Sequence, residues 1–212
     1  MADDLASFLD PLPLIAVLRG ITPEEIPEVG ATLVAHGFRV IEVPLNSPRP
    51  LESITRLAED FGDRCLVGAG TVINVADVGS VQTAGGRIIV MPHADTAVIR
   101  EAKCRTMLCL PGVATVTEAF AALAAGADGL KMFPAEGLSA SVLKAWRAVL
   151  PKHVLVFPVG GMRPDALAPY WAAGANGFGT GSNLYVPGAS AATVATAASA
   201  YEAAFRALPR RG

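Results

Sequence analysis

The feature that most constrains the fold of this chain is a repeated alternation of short apolar segments with helix-like segments. Each apolar run is followed by residues that favour a helix start, and the helical segments end near glycines such as Gly37 and Gly126. Eight such units follow one another along the 212 residues, with no linker and no break in composition. Alternating strands and helices with mostly apolar strands are typical of a parallel sheet covered by helices.

Eight strand-helix units predict a closed (β/α)8 TIM barrel, an α/β fold, rather than an open doubly wound sheet. The predicted strands are 12–19, 39–45, 65–70, 87–92, 107–112, 128–135, 153–161 and 176–182. We expect residues 1–212 to form a single barrel domain, with 1–11 as an N-terminal lead-in. An open sheet with a dinucleotide site is the alternative, but no G-x-G-x-x-G motif follows the first strand.

Composition and charge narrow the class of protein. Hydrophobic residues make up 52% and charged residues 17%, which excludes a disordered chain. The net charge of -2 gives no basic excess for nucleic acid or an anionic membrane, and no apolar run would span a bilayer. The cysteines Cys65, Cys104 and Cys109 are odd in number and lack metal-type spacing, which indicates reduced, structural thiols. We therefore expect a cytoplasmic protein that binds neither nucleic acid nor membrane.

Lys131 lies in the middle of an apolar segment predicted as the sixth strand. Catalytic residues of such barrels stand at the carboxyl ends of strands. A lysine facing the barrel interior would be desolvated, its pKa would fall, and its neutral amine would be a nucleophile. The alternative is a lysine whose stem packs on apolar neighbours while its ammonium reaches water.

Glu42 interrupts the apolar second strand in the same way. The two-residue period of a strand puts Glu42 on the face opposite Ile41 and Val43. A carboxylate inside a barrel is costly unless it is paired or used, so the hypotheses are a general acid/base or an ion pair with Arg19 or Lys131.

The other predicted strand ends supply groups suited to an anionic substrate. Gly160-Gly161 and Gly181-Ser182 follow the seventh and eighth strands, where such barrels usually bind phosphate; the alternative is that they only form tight turns. Arg19 has the geometry to hold a carboxylate or phosphate, or is an exposed strand-end arginine.

The remaining predicted site residues are less reactive. Thr71, after Gly70, offers a hydroxyl and an N–H, whereas Pro92 and Phe133 would shape the pocket. The histidines are dispersed, so we expect no metal and no cofactor.

These segments together resemble a known family. LRGITPEE, VIEVPLNSP, LVGAGTV, LPGVATVTEA, LKMFPAE, FPVGG and GTGSNLY occur in the order found in the bacterial class I aldolases of 2-keto-3-deoxy-6-phosphosugar acids. The resemblance extends from about residue 14 to residue 188. It implies a (β/α)8 barrel, a homotrimer, and catalysis without a metal or cofactor.

The resemblance also implies a role for each site residue. Lys131 in LKMFPAE would be the Schiff-base lysine and Glu42 in IEVPL the proton shuttle. Thr71, with Arg19, would hold the carboxylate end of the substrate or help to position the rest of it. Gly160-Gly161 and Gly181-Ser182 would bind the phosphate of a phosphorylated 2-keto-3-deoxy sugar acid.

Three positions favour one branch of the family, which acts on 2-dehydro-3-deoxy-6-phosphogalactonate and releases pyruvate and D-glyceraldehyde 3-phosphate. Asn46 stands where the gluconate enzymes have an arginine, and Val159 stands where they have a threonine. Arg19 in LRG also resembles the galactonate branch. Against this, the MFPAE segment also resembles the gluconate branch.

Several alternatives stay open. Within the same chemistry, the substrate would be the gluconate epimer or 4-hydroxy-2-oxoglutarate. In other classes, the chain would be a non-catalytic phosphosugar-binding barrel, or an isomerase that uses Glu42 as a base.

Overall fold

The computed structural model describes residues 4–209. After a short 3-10 helix at Leu5–Phe8, the strands are β1 Leu14–Val17, β2 Val40–Pro44, β3 Leu66–Gly70, β4 Ile88–Val90, β5 Leu108–Leu110, β6 Gly112–Val113, β7 Leu130–Met132, β8 Val156–Pro158 and β9 Phe178–Thr180. The helices are α1 Ile26–Ala35, α2 Pro50–Phe61, α3 Val75–Thr83, α4 Thr96–Cys104, α5 Val116–Ala124, α6 Ala140–Arg147, α7 Leu167–Ala172 and α8 Ala191–Arg206.

All strand pairs are parallel, and strands and helices alternate as predicted. One sheet has the order β5-β4-β3-β2-β1-β9 and the other the order β6-β7-β8. The prediction of an α/β fold with parallel strands and covering helices is confirmed.

The pairing differs from the prediction of one continuous closed ring. The predicted fifth strand, 107–112, is divided into β5 and β6 at Pro111, which has no N–H to donate to a ladder. Between β8 and β9 the pairing is reduced to a single parallel bridge that joins Val159 and Gly179. The strands therefore form two curled sheets whose edges meet at these two places.

Three of the eight α-helices within residues 4–209, α4, α5 and α8, begin at a residue whose side chain caps the helix. Thr115 and Glu118 form a reciprocal capping box at α5, and Asp95 accepts a hydrogen bond from the N–H of Ala97 at α4. Helix α1 begins at Ile26, and the side chain of its N-cap residue, Glu25, forms no capping hydrogen bond. The Glu25 carboxylate instead accepts hydrogen bonds from the N–H and the hydroxyl of Thr22.

Two apolar layers result from the alternation of side chains along the strands. The inner layer lies inside the curl of the sheets and consists of Leu5, Ile15, Val40, Leu66, Ile88, Val90, Leu108, Leu110 and Phe157. The outer layer, between strands and helices, includes Ile41 and Val43. Because Ile41 and Val43 face outward, Val40 and Glu42 face inward, as the two-residue period predicts.

The N-terminal lead-in contributes to the inner layer. Leu5 is only 2% exposed, and Phe8 and Leu9 pack against the same cluster. Asp4 caps this short 3-10 helix by accepting from the N–H of Ala6. The lead-in thus covers the apolar interior with side chains of its own.

Within residues 4–209, no helix is both long enough and apolar enough to cross a membrane. Cys65 and Cys109 are buried free thiols, whereas Cys104 is exposed, so the expectation of structural thiols is wrong for Cys104.

Candidate active site

Lys131 and Glu42 line one small cavity inside the curled sheets. The cavity has a volume of about 10 Å³, and its apolar walls include Val17, Leu110 and Phe157. A space of this size holds about one water molecule. The structure therefore brings together the two ionisable residues that the sequence analysis placed at the centre of the site.

Lys131 is held in this position by strand β7. Its neighbours Leu130 and Met132 belong to the outer layer, so the lysine side chain points inward. Lys131 is 6% exposed, and its Nζ lies 4.5 Å from the centre of the Phe133 ring. Burial is the main reason that its pKa is lowered; the Arg19 charge acts in the same direction, and the Glu42 charge opposes both. This environment favours a neutral amine.

Glu42, on β2, is also buried, and its pKa is shifted in the opposite direction to that of Lys131. It is 1% exposed, and its Oε2 has no hydrogen-bond partner in the part of the chain that the structure describes. Burial raises the pKa of this carboxyl to about 7, although the charges of Lys131 and Arg19 lower it. An unpartnered buried oxygen does not fit the alternative in which Glu42 only completes an ion pair.

Gly70, at the end of β3, makes room for this carboxylate. A Cβ added at Gly70 would overlap both carboxylate oxygens of Glu42. The glycine is therefore required by the position of Glu42 rather than by its own backbone angles.

Arg19, Asn46 and Thr71 form a polar group at the ends of β1, β2 and β3. Arg19 donates to Asn46 Oδ1 at 2.6 Å and to Thr71 Oγ1 at 3.3 Å. Thr71 has a φ of +56°, an unusual value for a β-branched residue. Backbone strain of this kind is concentrated at functional sites, so the cluster is a candidate site for an anionic end of a substrate.

The predicted phosphate residues lie together around a second cavity of about 140 Å³. Its walls include Arg19, Lys131, Phe133, Val159, Gly160, Gly161, Gly181 and Ser182. Gly160 and Gly161 have φ values of +105° and +62°, which glycine adopts readily. Gly181 differs, because an added Cβ would lie 3.9 Å from Val17, so nothing in this structure requires a glycine there.

Glu136 is a member of this site that the sequence analysis did not single out. Side chains added at Gly160 or Gly161 would overlap the Glu136 side chain, so its carboxylate lies directly over the glycine turn. Its position in MFPAE, five residues after Lys131, was the available signal. A phosphate entering the turn would be repelled by this carboxylate unless the side chain moves aside.

Val159 lines both cavities, between the lysine and the glycine turn, where it can contact the middle of a substrate. Pro92 follows β4, and its carbonyl lies against Gly112. Pro92 lines neither cavity, and neither do the predicted site residues Asn46, Gly70 and Thr71.

Residues 4–209 contain no group of three His, Cys, Asp or Glu side chains that could hold a metal ion. The arrangement instead combines a buried amine, a buried carboxyl of raised pKa and two places for anions. These groups suit covalent and acid/base chemistry on a carbonyl compound with two charged ends.

Comparison with known proteins leads to the same chemistry. The model of the aldolase family described as KDPG and KHG aldolase matches residues 5–195. The chain is 48% identical to a probable 2-dehydro-3-deoxy-6-phosphogalactonate aldolase of Rhizobium meliloti (strain 1021), over 92% of each chain. It is 46% identical to the 2-dehydro-3-deoxy-6-phosphogalactonate aldolase of Escherichia coli (strain K12), over 92% of this chain and 95% of the relative.

A solved structure supports the fold as well. The chain superposes on a native KDPGal structure with a TM-score of 0.91 and 44% identity, over 92% of this chain and 95% of the other.

Proposed function

The chain belongs to the KDPG and KHG aldolase family of carbon–carbon lyases, and we propose that it cleaves 2-dehydro-3-deoxy-6-phosphogalactonate to pyruvate and D-glyceraldehyde 3-phosphate. One observation carries the proposed mechanism. Lys131 and Glu42, both buried, share a cavity of about the size of one water molecule. The larger cavity, with its glycine turns, adjoins the same lysine.

The first half of the reaction uses Lys131. Its neutral Nζ adds to the C2 ketone of the substrate to form a carbinolamine, and loss of water gives a protonated imine. The lowered pKa of Lys131 favours the neutral amine that this addition needs. The imine cation, conjugated to the carboxylate end, can then accept the electron pair of a breaking bond.

The second half uses Glu42 as the base. Its carboxylate, directly or through one water molecule, takes the proton of the C4 hydroxyl, and the C3–C4 bond breaks as the C4 carbonyl forms. The aldehyde leaves, and the enamine that stays on Lys131 is protonated at C3. Water then hydrolyses the imine, which releases pyruvate and restores the amine.

The charged ends of the substrate have separate places in this proposal. Arg19 and Thr71 would hold the carboxylate or position the rest of the molecule, with Asn46 holding Arg19 in orientation. The backbone of Gly160, Gly161 and Gly181, with the Ser182 hydroxyl, would bind the phosphate. Phe133 and Pro92 would shape the walls.

Two observations support the galactonate epimer. Relatives that are 46–48% identical carry that name. Val159, which adjoins both cavities, presents only methyl groups to a C4 hydroxyl, so it offers no hydrogen bond that would favour the gluconate epimer.

The proposal includes a fold and an assembly. We propose that residues 1–212 form a single domain whose two sheets are the parts of a closed (β/α)8 barrel, joined at Pro111 and at the Val159–Gly179 bridge. We propose a homotrimer, because large apolar side chains such as Ile73 and Val75 are exposed and an assembly would cover them. Free thiols at all three cysteines fit a cytoplasmic location.

Borohydride reduction in the presence of pyruvate tests the chemistry. We expect a reduced pyruvyl adduct on the peptide that contains Lys131, and no adduct in Lys131→Met. Lys103 is a matched internal control, because its Nζ is paired with Asp128 at 2.7 Å. Absence of any adduct from folded protein would overturn the Schiff-base mechanism and favour the binding-barrel and isomerase alternatives.

Cleavage of the two phosphorylated epimers tests the substrate. We expect the wild type to prefer the galactonate epimer, and Val159→Thr to improve kcat/KM for the gluconate epimer by about tenfold, since a hydroxyl would gain a substrate partner. Equal rates of the wild type on both epimers would contradict the proposed specificity.

A further inference from the structure

The chain has three tyrosines: the hydroxyls of Tyr170 and Tyr201 donate to carbonyls of loops beside the larger cavity, and Tyr185, itself in such a loop, donates to Glu25. Tyr170 lies on α7, Tyr185 after β9 and Tyr201 on α8. They are distant from one another in sequence, and none of them lines the cavity itself. Their common feature is that each stabilises a different loop of the proposed phosphate site through a hydrogen bond formed outside the cavity.

Tyr201 holds the loop after β8. It is fully buried, and its hydroxyl donates to the carbonyl oxygen of Met162, the residue that follows Gly160-Gly161. Glycines at positive φ have wide conformational freedom, so this turn depends on outside contacts for a fixed shape. A buried hydrogen bond next to the turn supplies such a contact.

Tyr170 holds the loop after β7. Its hydroxyl lies 2.9 Å from the carbonyl oxygens of both Ala135 and Leu138. These two residues flank Glu136, whose side chain lies over the glycine turn. Tyr170 therefore fixes the backbone position of the segment that carries Glu136 beside the cavity.

Tyr185 holds the loop after β9. The N–H groups of Leu184 and Tyr185 donate to the Gly181 carbonyl, which closes a turn over Ser182. The Tyr185 hydroxyl then donates to Glu25 Oε1 at 2.8 Å, and the same oxygen accepts from the N–H of Gly188 at 3.2 Å. Glu25 thus ties the Ser182 turn to the start of α1.

Burial favours the protonated, donating form of each hydroxyl. It is the main cause of the raised pKa of Tyr170, Tyr185 and Tyr201. The hydroxyls consequently stay donors across the physiological pH range.

We infer that Tyr170, Tyr185 and Tyr201 are positioning residues that hold the three loops of the phosphate site in their binding geometry before the substrate arrives. The inference rests on the proposed function, because it assumes that the larger cavity takes the phosphate end. Pre-organised loops lower the cost of ordering on binding, so losing a hydroxyl weakens binding of the phosphate end selectively. In the described residues the three hydroxyls bond to neither Lys131 nor Glu42, so imine formation at Lys131 should be unchanged by their loss.

Steady-state kinetics in the condensation direction tests this inference. The full-length wild type is compared with Tyr170→Phe, Tyr185→Phe and Tyr201→Phe, using pyruvate with D-glyceraldehyde 3-phosphate or with D-glyceraldehyde. We expect each variant to raise KM for the phosphorylated aldehyde by about tenfold, with unchanged KM for pyruvate and unchanged kcat/KM for D-glyceraldehyde. Ile99→Val, at a buried side chain of α4, is the control for a comparable loss of packing stability.

The outcomes separate the inference from the proposed function. If KM for pyruvate rises together with KM for the phosphorylated aldehyde, or if the variants behave like Ile99→Val, the hydroxyls only stabilise the fold and the inference is wrong. If the wild type itself shows no preference for the phosphorylated aldehyde, the phosphate site is wrong and the inference falls with it. If the wild type forms no borohydride adduct with pyruvate, the proposed function fails at the lysine.

Discussion

Two side chains that are charged in water, Lys131 and Glu42, are shifted towards neutrality by burial in one small cavity. The pKa of the lysine falls and that of the carboxyl rises to about 7, although each charge favours the ionisation of the other. Desolvation therefore outweighs their attraction. Opposed shifts of this kind prepare a nucleophile and a base that work near neutral pH.

The rate of cleavage should depend on the ionisation of Glu42. Since the base must be ionised, we expect kcat/KM to fall as pH decreases through about 7. Glu42→Gln should lower kcat by about 10²–10⁴-fold and remove this acidic limb, while the pyruvyl adduct on Lys131 persists. An acidic limb that is unchanged in Glu42→Gln would show that another group is the base.

Protein stability should respond to pH in the corresponding direction. The folded pKa of Glu42 is raised above its usual 4.5, so its stabilising contribution is complete below 4.5 and is lost as pH rises through about 7. Urea unfolding of Glu42→Gln should show a smaller fall in stability over this window than the wild type.

At the scale of secondary-structure elements, the glycines of strand β3 leave space for residues of the neighbouring strands. Its inward positions include Gly68 and Gly70, and side chains there would overlap the Ile88 carbonyl and the Glu42 carboxylate. Glycine weakens a strand, so these positions reflect the space needed by β4 and β2. Gly70 was predicted from the sequence to lie in the site, but its contact with Glu42 depends on how β3 lies beside β2.

Gly70→Ala is the test of that contact. The added methyl must displace the Glu42 carboxylate, so we expect kcat to fall by about 100-fold while the pyruvyl adduct on Lys131 still forms. Gly137→Ala is a matched control, because an added Cβ at Gly137 would meet no atom within 4 Å. Full activity of Gly70→Ala would mean that Glu42 need not occupy its present position.

At the scale of the whole molecule, the two curled sheets enclose an apolar interior. Leu5 fills part of this interior, and Lys131 and Glu42 line a small cavity in it. Outside, Ile73 and Val75 are 51% and 42% exposed near the start of α3. Exposed apolar side chains that lie together, unlike those scattered singly, are typical of surfaces that associate.

Light scattering coupled to gel filtration tests the proposed trimer. We expect a mass of three chains for the wild type, and a smaller species for Ile73→Asp combined with Val75→Asp, because two carboxylates would have to be desolvated at the interface. Leu51→Asp, at a side chain that is 38% exposed, tests whether α2 shares the interface. A monomeric wild type would contradict the proposal.

The sequence by itself determined the alternation of strands and helices, the strand face on which Glu42 lies, and the family, because these depend on local periodicity and on motifs in a fixed order. Only the tertiary structure decided what depends on contacts between distant segments. Pro111 and the Val159–Gly179 bridge divided the predicted ring into two sheets. Glu136 came to lie over Gly160-Gly161. The hydroxyls of three tyrosines on separate elements form hydrogen bonds around one cavity, and these bonds join residues that are far apart in the sequence and that no local pattern relates.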